Sequence, residues 1–160
     1  MKKGSVTCQT FSGRETIRVG LKLGALLNDG DVVALTGELG SGKTWFTKGV
    51  ALGLEVSPDT VVTSPSFALM NAYEGRCPLF HMDVYRLENV TDFYDAGLDE
   101  YLNGNGVVVM EWADRWPEVL PERTLTVQLA VLDEHTRKIV LTGHHPKTLR
   151  ILRQLTEEAG

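Results

Sequence analysis

The chain has 160 residues, of which 42% are hydrophobic and 23% are charged; this is the composition of an ordinary globular protein and predicts a single domain over residues 1–160. Its formal net charge of −5 argues against a large nucleic-acid surface, which would be basic, but leaves open nucleic acid reached through a partner. The apolar runs are too short to span a membrane and the two cysteines lie far apart, so we expect a cytoplasmic protein without a disulfide framework or a zinc site.

The N-terminal region predicts a short strand followed by a helix. The strand is expected at residues 6–8. Ser12 then opens a capping box, in which its hydroxyl caps the helix and Glu15 reaches back. Apolar residues recur at near-helical spacing up to Asn28. We interpret Ser12 as a helix cap and leave open that its turn lies over a ligand held by the next segment.

The next segment contains the most specific motif of the chain, a phosphate-binding loop. Residues 37–44 read Gly-Glu-Leu-Gly-Ser-Gly-Lys-Thr and fit the pattern G-x-x-x-x-G-K-[ST]. A buried strand over residues 31–36 is expected before the motif, and a helix over residues 45–52 is expected after it, ended by Gly53. This order of strand, glycine loop and helix is the context in which the motif binds a nucleoside triphosphate.

Each residue type in this loop suits a triphosphate. Backbone amides and the free N–H groups of the helix N-terminus supply converging donors, and the glycines let the backbone come close. Lys43 is the cation for the β- and γ-phosphates and is expected to face solvent until phosphate arrives, whereas the Thr44 hydroxyl suits Mg²⁺. The residues of this segment that we predict to bind the nucleotide are Gly37, Glu38, Leu39, Gly40, Ser41, Gly42, Lys43, Thr44 and Trp45.

A loop is predicted over residues 55–65, and it runs into Thr-Ser-Pro-Ser-Phe at 63–67. Its composition favours a plain turn whose hydroxyls bond to the backbone, and the alternative is a hydroxyl contact with the γ-phosphate or Mg²⁺. A hairpin over residues 67–73 and 78–85 is predicted next.

The second strand of this hairpin places His81, Asp83 and Tyr85 on one face. Three polar groups in a row are costly unless that face meets water, a partner or a ligand. The pattern therefore indicates either a solvated sheet face or a carboxylate, Asp83, aimed at the nucleotide. Arg86 follows and could pair with Asp83 or reach phosphate.

Two short helices, over residues 91–96 with Thr91 as the candidate cap and over residues 98–102, lead into an apolar strand at residues 107–110. This strand ends in Glu111, and an apolar strand with a carboxylate at its end resembles the Walker B pattern that holds Mg²⁺. Glutamate replaces the usual aspartate, and a strand that merely ends in a charge is the alternative.

The C-terminal region predicts two strands, over residues 124–132 and 137–142, and then a helical tail over residues 146–160. Arg137 is expected at the mouth of the site. In the tail, Lys147, Arg150 and Arg153 recur every third residue as a basic stripe. A solvated helix face explains the stripe better than contact with a partner or RNA.

Together these segments resemble the bacterial TsaE (YjeE) family of P-loop ATPases. The resemblance rests on the loop at 37–44, Thr-Ser-Pro-Ser-Phe at 63–67, His-Met-Asp-Val-Tyr-Arg-Leu at 81–87 and Val-Met-Glu-Trp at 109–112, whose order and spacing cover most of the chain. The basic tail from His145 onward matches nothing in this pattern.

The resemblance implies more than the residues show. It implies an ATPase that works with TsaD- and TsaB-type proteins to make threonylcarbamoyladenosine in tRNA next to the anticodon, reaching tRNA only through that complex. Thr44 and Glu111 match the family's Mg²⁺ ligands, and Asp83 matches its essential carboxylate. Trp112 matches a tryptophan beside the nucleotide, and residues 63–67 match a switch-like loop. We also include Ser12 and Arg137 among the nucleotide-binding residues.

We therefore expect an α/β phosphate-loop nucleotide-binding fold whose central sheet is mixed and flanked by helices, because two hairpins accompany the parallel core. The expected function is Mg²⁺-dependent ATP hydrolysis, slow in isolation and stimulated by partners, with Asp83 and Glu111 as catalytic residues. The alternatives are a small-molecule kinase, although the arginines form no obvious lid, and a nucleotide-gated switch, although Asn-Lys-x-Asp is absent.

Overall fold

Strands and helices alternate in the first part of the chain, in a computed structural model that describes residues 3–65 and 68–159. The strands are β1 (Gly4–Thr10), β2 (Val32–Thr36), β3 (Met70–Tyr73), β4 (Leu79–Asp83), β5 (Val107–Glu111), β6 (Leu125–Val131) and β7 (Arg137–Gly143). The α-helices are α1 (Gly13–Leu26), α2 (Lys43–Gly53), α3 (Val90–Asp95), α4 (Asp99–Leu102) and α5 (Pro146–Ala159). Ser66 and Phe67, where the predicted switch-like loop meets the predicted hairpin, lie outside the described residues.

Within the described residues, the strands form one sheet in the order β1-β7-β6-β2-β5-β4-β3. Strand β2 is parallel to both β5 and β6, and β4 is parallel to β5. The pairs β3–β4, β6–β7 and β1–β7 are antiparallel. The predicted mixed sheet is therefore confirmed, and the two hairpins supply its antiparallel parts.

The two faces of the central strands belong to two separate cores, because successive side chains in a strand point to opposite faces. Val33 and Leu35 of β2 pack in one core with residues of α1, α2 and α5. Val32 and Ala34 pack in the other core with residues of α3 and α4. Central strands covered on both faces explain why β2 and β5 are almost continuously apolar.

Helices α1 and α2 pack with their backbones in close contact. Glycines spaced four residues apart on each helix allow this approach, since a Cβ atom at Gly20 would lie 2.3 Å from the Phe46 carbonyl oxygen. A Cβ atom at Gly49 would lie 2.0 Å from the Ile17 carbonyl oxygen. The pair holds α2, and therefore the loop in front of it, in a fixed position on the sheet.

The N-terminal cap of α1 is the predicted residue, whereas the N-terminal cap of α3 is a different one. The Ser12 hydroxyl accepts a hydrogen bond from the Glu15 amide at 3.1 Å, and this confirms the predicted cap of α1. The cap of α3 is Asn89 and not Thr91, because the Asn89 side chain accepts from the Asp92 amide at 3.0 Å. Asparagine is the better cap, and the helix begins one residue earlier than predicted.

The predicted C-terminal helix is present as α5, but its basic stripe is not uniform. Lys147 forms an ion pair with Asp31 at 2.8 Å, just before β2 begins, whereas Arg150 and Arg153 are exposed. One residue of the stripe therefore ties α5 to the amino end of β2, the end of that strand away from the phosphate-binding loop. No helix within residues 3–65 and 68–159 has the length and apolar character needed to cross a membrane.

Candidate functional site

A cavity of about 520 Å³ opens where β2, β4 and β5 end, and the phosphate-binding loop forms one of its walls. Ten of the predicted site residues line it: Leu39, Gly40, Ser41, Gly42, Lys43, Thr44, Trp45, Asp83, Glu111 and Trp112. Ser64, Tyr85 and Arg86 complete the lining. The sequence left open a phosphate contact by Arg86 or by a hydroxyl of residues 63–67, and it predicted no ligand contact for Tyr85. Ligands of open α/β sheets bind at this position, outside the carboxyl ends of the strands.

The loop backbone has the conformation that its glycines predict. Gly40 and Gly42 have positive φ angles of 82° and 103°, which residues other than glycine rarely adopt. Helix α2 begins directly afterwards at Lys43, so the free N–H groups of its first turn lie at the cavity. The donors and the dipole end suited to a phosphate group therefore lie together.

Lys43 is buried, and the expectation that it faces solvent is wrong. Only 7% of the residue is exposed. Its ammonium group donates to the Gly37 carbonyl oxygen, donates to the Glu38 carbonyl oxygen at 3.1 Å, and lies 4.1 Å from the centroid of the Trp112 ring. Burial lowers the pKa of Lys43 below that of a free lysine, while the nearby Glu111 carboxylate acts in the opposite direction.

Asp83 lies at the end of β4 and is held by two hydrogen bonds. One carboxylate oxygen accepts from the Tyr85 amide at 2.9 Å, and the other accepts from the Ser64 hydroxyl at 3.0 Å. Only 5% of Asp83 is exposed, so this face of β4 is not the solvated sheet face that the pattern left open. The Ser64 bond also differs from the plain turn that the loop composition favoured, because the hydroxyl reaches a carboxylate of the site.

Glu111 lies beside Asp83 because β4 and β5 are parallel and the two residues are partners in the register. It is also the register partner of Leu35 on β2, one residue before that strand ends. Only 2% of Glu111 is exposed, and one carboxylate oxygen lies 2.5 Å from Nε2 of His81. Two carboxylates and the phosphate-binding loop thus meet at the carboxyl ends of three adjacent parallel strands.

Trp112 follows Glu111 in a left-handed backbone conformation, with φ at 61°. Its ring lies 4.8 Å from the Tyr85 ring, centroid to centroid, and under the Lys43 ammonium. The guanidinium of Arg115 lies 5.5 Å from the centroid of the Tyr85 ring. These aromatic contacts form one wall of the cavity.

Four predicted ligands lie behind or beside the cavity and do not line it: Ser12, Gly37, Glu38 and Arg137. Ser12 caps α1, and a Cβ atom at the next residue, Gly13, would lie 2.9 Å from the Trp45 ring. Arg137 donates to the carbonyl oxygens of Ser41 and Gly40, each at 3.2 Å. In this arrangement Arg137 holds the loop from behind, and a nucleotide contact by Ser12 or Arg137 stays a prediction.

The donor set at this edge fits Mg²⁺ better than a transition metal. Within residues 3–65 and 68–159, no group of three or more histidine, cysteine, aspartate or glutamate side chains converges as a metal cage. The cavity instead offers a few hard oxygens, from Thr44, Asp83 and Glu111. Mg²⁺ is usually held by one or two carboxylates together with water and substrate phosphates, which matches this sparse set.

The fold and the site define the class of the protein: it is an α/β P-loop protein with a mixed sheet. A sequence model of the family described as threonylcarbamoyl adenosine biosynthesis protein TsaE matches residues 10–139. The chain therefore belongs to the TsaE family, as its resemblance indicated.

Individual relatives agree with this membership. A Treponema pallidum protein named tRNA threonylcarbamoyladenosine biosynthesis protein TsaE is 46% identical over 134 residues, which cover 84% of this chain and 98% of the relative. A Bacillus subtilis protein of the same name is 41% identical over 136 residues, with 84% of each chain covered. The crystal structure of Bacillus subtilis YdiB superposes with a TM-score of 0.86 at 32% identity and covers 100% of this chain and 99% of that one.

Proposed function

We propose that this chain binds ATP with Mg²⁺ and hydrolyses it in the biosynthesis of threonylcarbamoyladenosine in tRNA, together with TsaD- and TsaB-type partner proteins. One observation carries the proposal: the phosphate-binding loop, Asp83 and Glu111 all line one cavity at the ends of adjacent strands. The names of the relatives supply the pathway. A phosphate loop beside two carboxylates is the arrangement of a nucleoside triphosphatase.

The loop binds the triphosphate through its backbone. Amides of residues 38–44 and the N-terminus of α2 donate to phosphate oxygens, and the positive φ angles of Gly40 and Gly42 let the chain turn closely enough to do so. Lys43 gives up its carbonyl contacts and donates to the phosphates. Trp45, half exposed at the mouth, covers one side of the bound nucleotide.

Thr44 and Glu111 are the residues that would hold Mg²⁺, since both present hard oxygens to the cavity. The ion supplies charge neutralisation on the phosphate oxygens when bound. We assign to Asp83 the role of orienting the attacking water, an assignment supported by the two hydrogen bonds that hold its carboxylate beside Glu111. Its removal should therefore lower the rate of hydrolysis more than the affinity for ATP.

The site contains few cations for the charge that develops on the transferred phosphoryl group. Arg86 lines the cavity, whereas Arg137 already donates to the carbonyl groups of the loop. A cation supplied by another protein raises the rate of such reactions by about 10³–10⁵. We therefore expect slow hydrolysis by the chain alone and stimulation by the partner complex.

The test measures ATP turnover and ATP affinity for the wild type, Asp83→Asn and Asp95→Asn, with and without a TsaD–TsaB-type complex. Asp95 is an exposed carboxylate on α3 outside the cavity, and its variant is the matched control. We expect Asp83→Asn to lose at least about 100-fold in turnover while its affinity changes by less than about fivefold. Equal turnover in the three proteins would refute the assignment of Asp83. Fast hydrolysis that ignores the partner complex and is lost in Arg86→Ala would refute the dependence on partners.

A further inference from the structure

The imidazole of His81 is fully buried and forms a hydrogen bond with Glu111 of the site. His81 lies in the middle of β4, two residues before Asp83 and on the same face of the strand, and its exposed fraction is 0%. Nε2 of the ring lies 2.5 Å from Oε2 of Glu111 on the adjacent strand. Glu111 lines the cavity, whereas His81 does not. The hydrogen bond to Glu111 is therefore the direct link between His81 and the cavity lining among the described residues.

The direction of this hydrogen bond follows from the chemistry of the two groups. An ionised carboxylate can only accept, so Nε2 of His81 carries the hydrogen and donates it. Among the described residues, Nδ1 of the same ring is buried and has no hydrogen-bond partner. Nδ1 is therefore a buried polar atom whose hydrogen-bonding capacity no described group satisfies.

This arrangement is a poor choice for stability alone. A buried polar atom without a partner costs free energy, and an apolar side chain of similar size on the same face of β4 would not carry that cost. Among residues 3–65 and 68–159, the His81 side chain forms one hydrogen bond, the bond to Glu111. The feature that explains a histidine at this position is therefore the orientation of Glu111.

We infer that His81 is a positioning residue for the metal-holding carboxylate of Glu111, an inference that rests on the proposed function. Glutamate has three rotatable side-chain bonds, and a hydrogen bond to one oxygen selects one orientation and leaves the second oxygen for the ligand. Groups that orient a metal-binding side chain in this way typically contribute about 10- to 100-fold to metal affinity. Asp83 is held separately, by Ser64 and the Tyr85 amide, so its orientation does not depend on His81.

The experiment compares His81→Leu, His81→Phe and His81→Gln. Leucine and phenylalanine fill the space without a donor, while glutamine keeps an N–H group in a similar place. The probe is Mn²⁺, whose free concentration is read by electron paramagnetic resonance in the presence of a saturating non-hydrolysable ATP analogue. We expect the Mn²⁺ affinity to fall by about 10- to 100-fold in the two variants without a donor and to recover to within about fivefold of the wild type in His81→Gln.

Two further measurements separate positioning from general damage. Turnover at saturating Mg²⁺ should change much less than the Mn²⁺ affinity, because Asp83 keeps its own hydrogen bonds. In a Glu111→Gln background, removal of the His81 donor should cause no further loss of Mn²⁺ affinity. His144→Leu, which changes an exposed histidine outside the cavity, is the matched control and should bind Mn²⁺ like the wild type.

The outcomes are distinct. Wild-type Mn²⁺ affinity in His81→Leu or His81→Phe would overturn the inference while leaving the proposed function intact. Equal losses in His81→Gln and His81→Leu would overturn it as well, since the donor would then not matter. Loss of a cooperative melting transition in both variants without a donor would assign His81 to the structure of the sheet instead. Absence of nucleotide-dependent Mn²⁺ binding in the wild type would refute the proposed function, and the inference with it.

Discussion

Replacing the buried lysine of the phosphate-binding loop tests the proposed nucleotide site most directly. Lys43→Met removes the ammonium group and keeps most of the aliphatic stem that packs in the loop. In the structure that ammonium donates to the carbonyl oxygens of Gly37 and Glu38. These two contacts compete with a phosphate for the same donor, so the net gain on binding is smaller than for a free lysine.

The expected magnitudes differ for binding and for folding. A hydrogen bond to a charged group contributes about 1.5–3 kcal/mol, and the competing contacts favour the lower half of that range, or about a 10- to 40-fold loss of ATP affinity. The unfolding free energy should change by less than about 1 kcal/mol, because Gly37 is half-buried and Glu38 is exposed, so water can solvate the carbonyl groups that lose their donor. The variant should therefore fold normally and bind ATP weakly.

ATP affinity is measured by calorimetric titration with ATP and Mg²⁺, and the free energy of unfolding is measured by denaturant unfolding without nucleotide. Lys48→Met is the matched control, because Lys48 lies on the same helix but donates to the carbonyl oxygens of Pro58 and Thr60, outside the cavity. It should leave the ATP affinity unchanged. An ATP affinity of Lys43→Met within threefold of the wild type would refute the role of this lysine in phosphate binding.

The same variant has a pH signature. Burial lowers the pKa of Lys43, so between that lowered value and about 10.4 the unfolded chain binds more protons than the folded chain. The contribution of Lys43 to the unfolding free energy therefore rises as the pH increases through this window. Lys43→Met should lack that rise relative to the wild type when denaturant unfolding is measured without nucleotide across the alkaline range. Identical pH profiles would contradict the burial of the ammonium group.

Two other regions of the molecule yield predictions of the same kind. In variants that retain a single tryptophan, the fluorescence of Trp45 or Trp112 should change on adding ATP with Mg²⁺, because both line the cavity, whereas Trp116 does not and should stay silent; a response from Trp116 alone would place the nucleotide elsewhere. Gly49→Ala should lower the unfolding free energy by about 1–3 kcal/mol in denaturant titrations, since its Cβ atom would lie 2.0 Å from a backbone oxygen of α1. Helix propensity alone predicts the opposite sign, so a stabilised variant would show that the two helices separate at little cost.

The sequence was sufficient for the elements that depend on local patterns. The loop at residues 37–44 has a spacing that few other structures satisfy, so the strand before it and the helix after it could be placed within two residues. The two hairpins were visible because each pair of strands is short and close in the chain. From these pieces the mixed character of the sheet follows.

The details of the site could not be predicted because they depend on register between distant strands. His81 and Glu111 are separated by 30 residues, and they meet because β4 and β5 are adjacent and parallel. The burial of Lys43 requires the Trp112 ring beneath it, and the bond from Ser64 to Asp83 requires the loop that carries Ser64 to approach the end of β4. Such contacts arise in the tertiary structure, and no periodicity in the sequence reports them.

One tertiary feature did leave a signal that the sequence analysis overlooked. Gly20 and Gly24 are four residues apart on α1, and Gly49 and Gly53 have the same spacing on α2. Glycine is unfavourable inside a helix, so two such pairs on consecutive predicted helices indicate that something else requires them. The structure shows the reason, since a side chain at any of the four would collide with the backbone of the other helix.

The turn after β5 contains a strained residue, Trp112, whose contacts also position the neighbouring Glu111. Trp112 adopts a left-handed conformation, which costs a residue with a side chain about 1–3 kcal/mol, so the surrounding contacts must hold it there. Its amide donates to the Leu35 carbonyl oxygen at 3.2 Å, and its ring packs against Tyr85 and beneath Lys43. The bond to Leu35 ties the end of β5 to the end of β2, directly where the phosphate-binding loop begins. The conformation that strains Trp112 therefore also fixes the position of Glu111 relative to that loop, and the proposed metal and phosphate site depends on this relation.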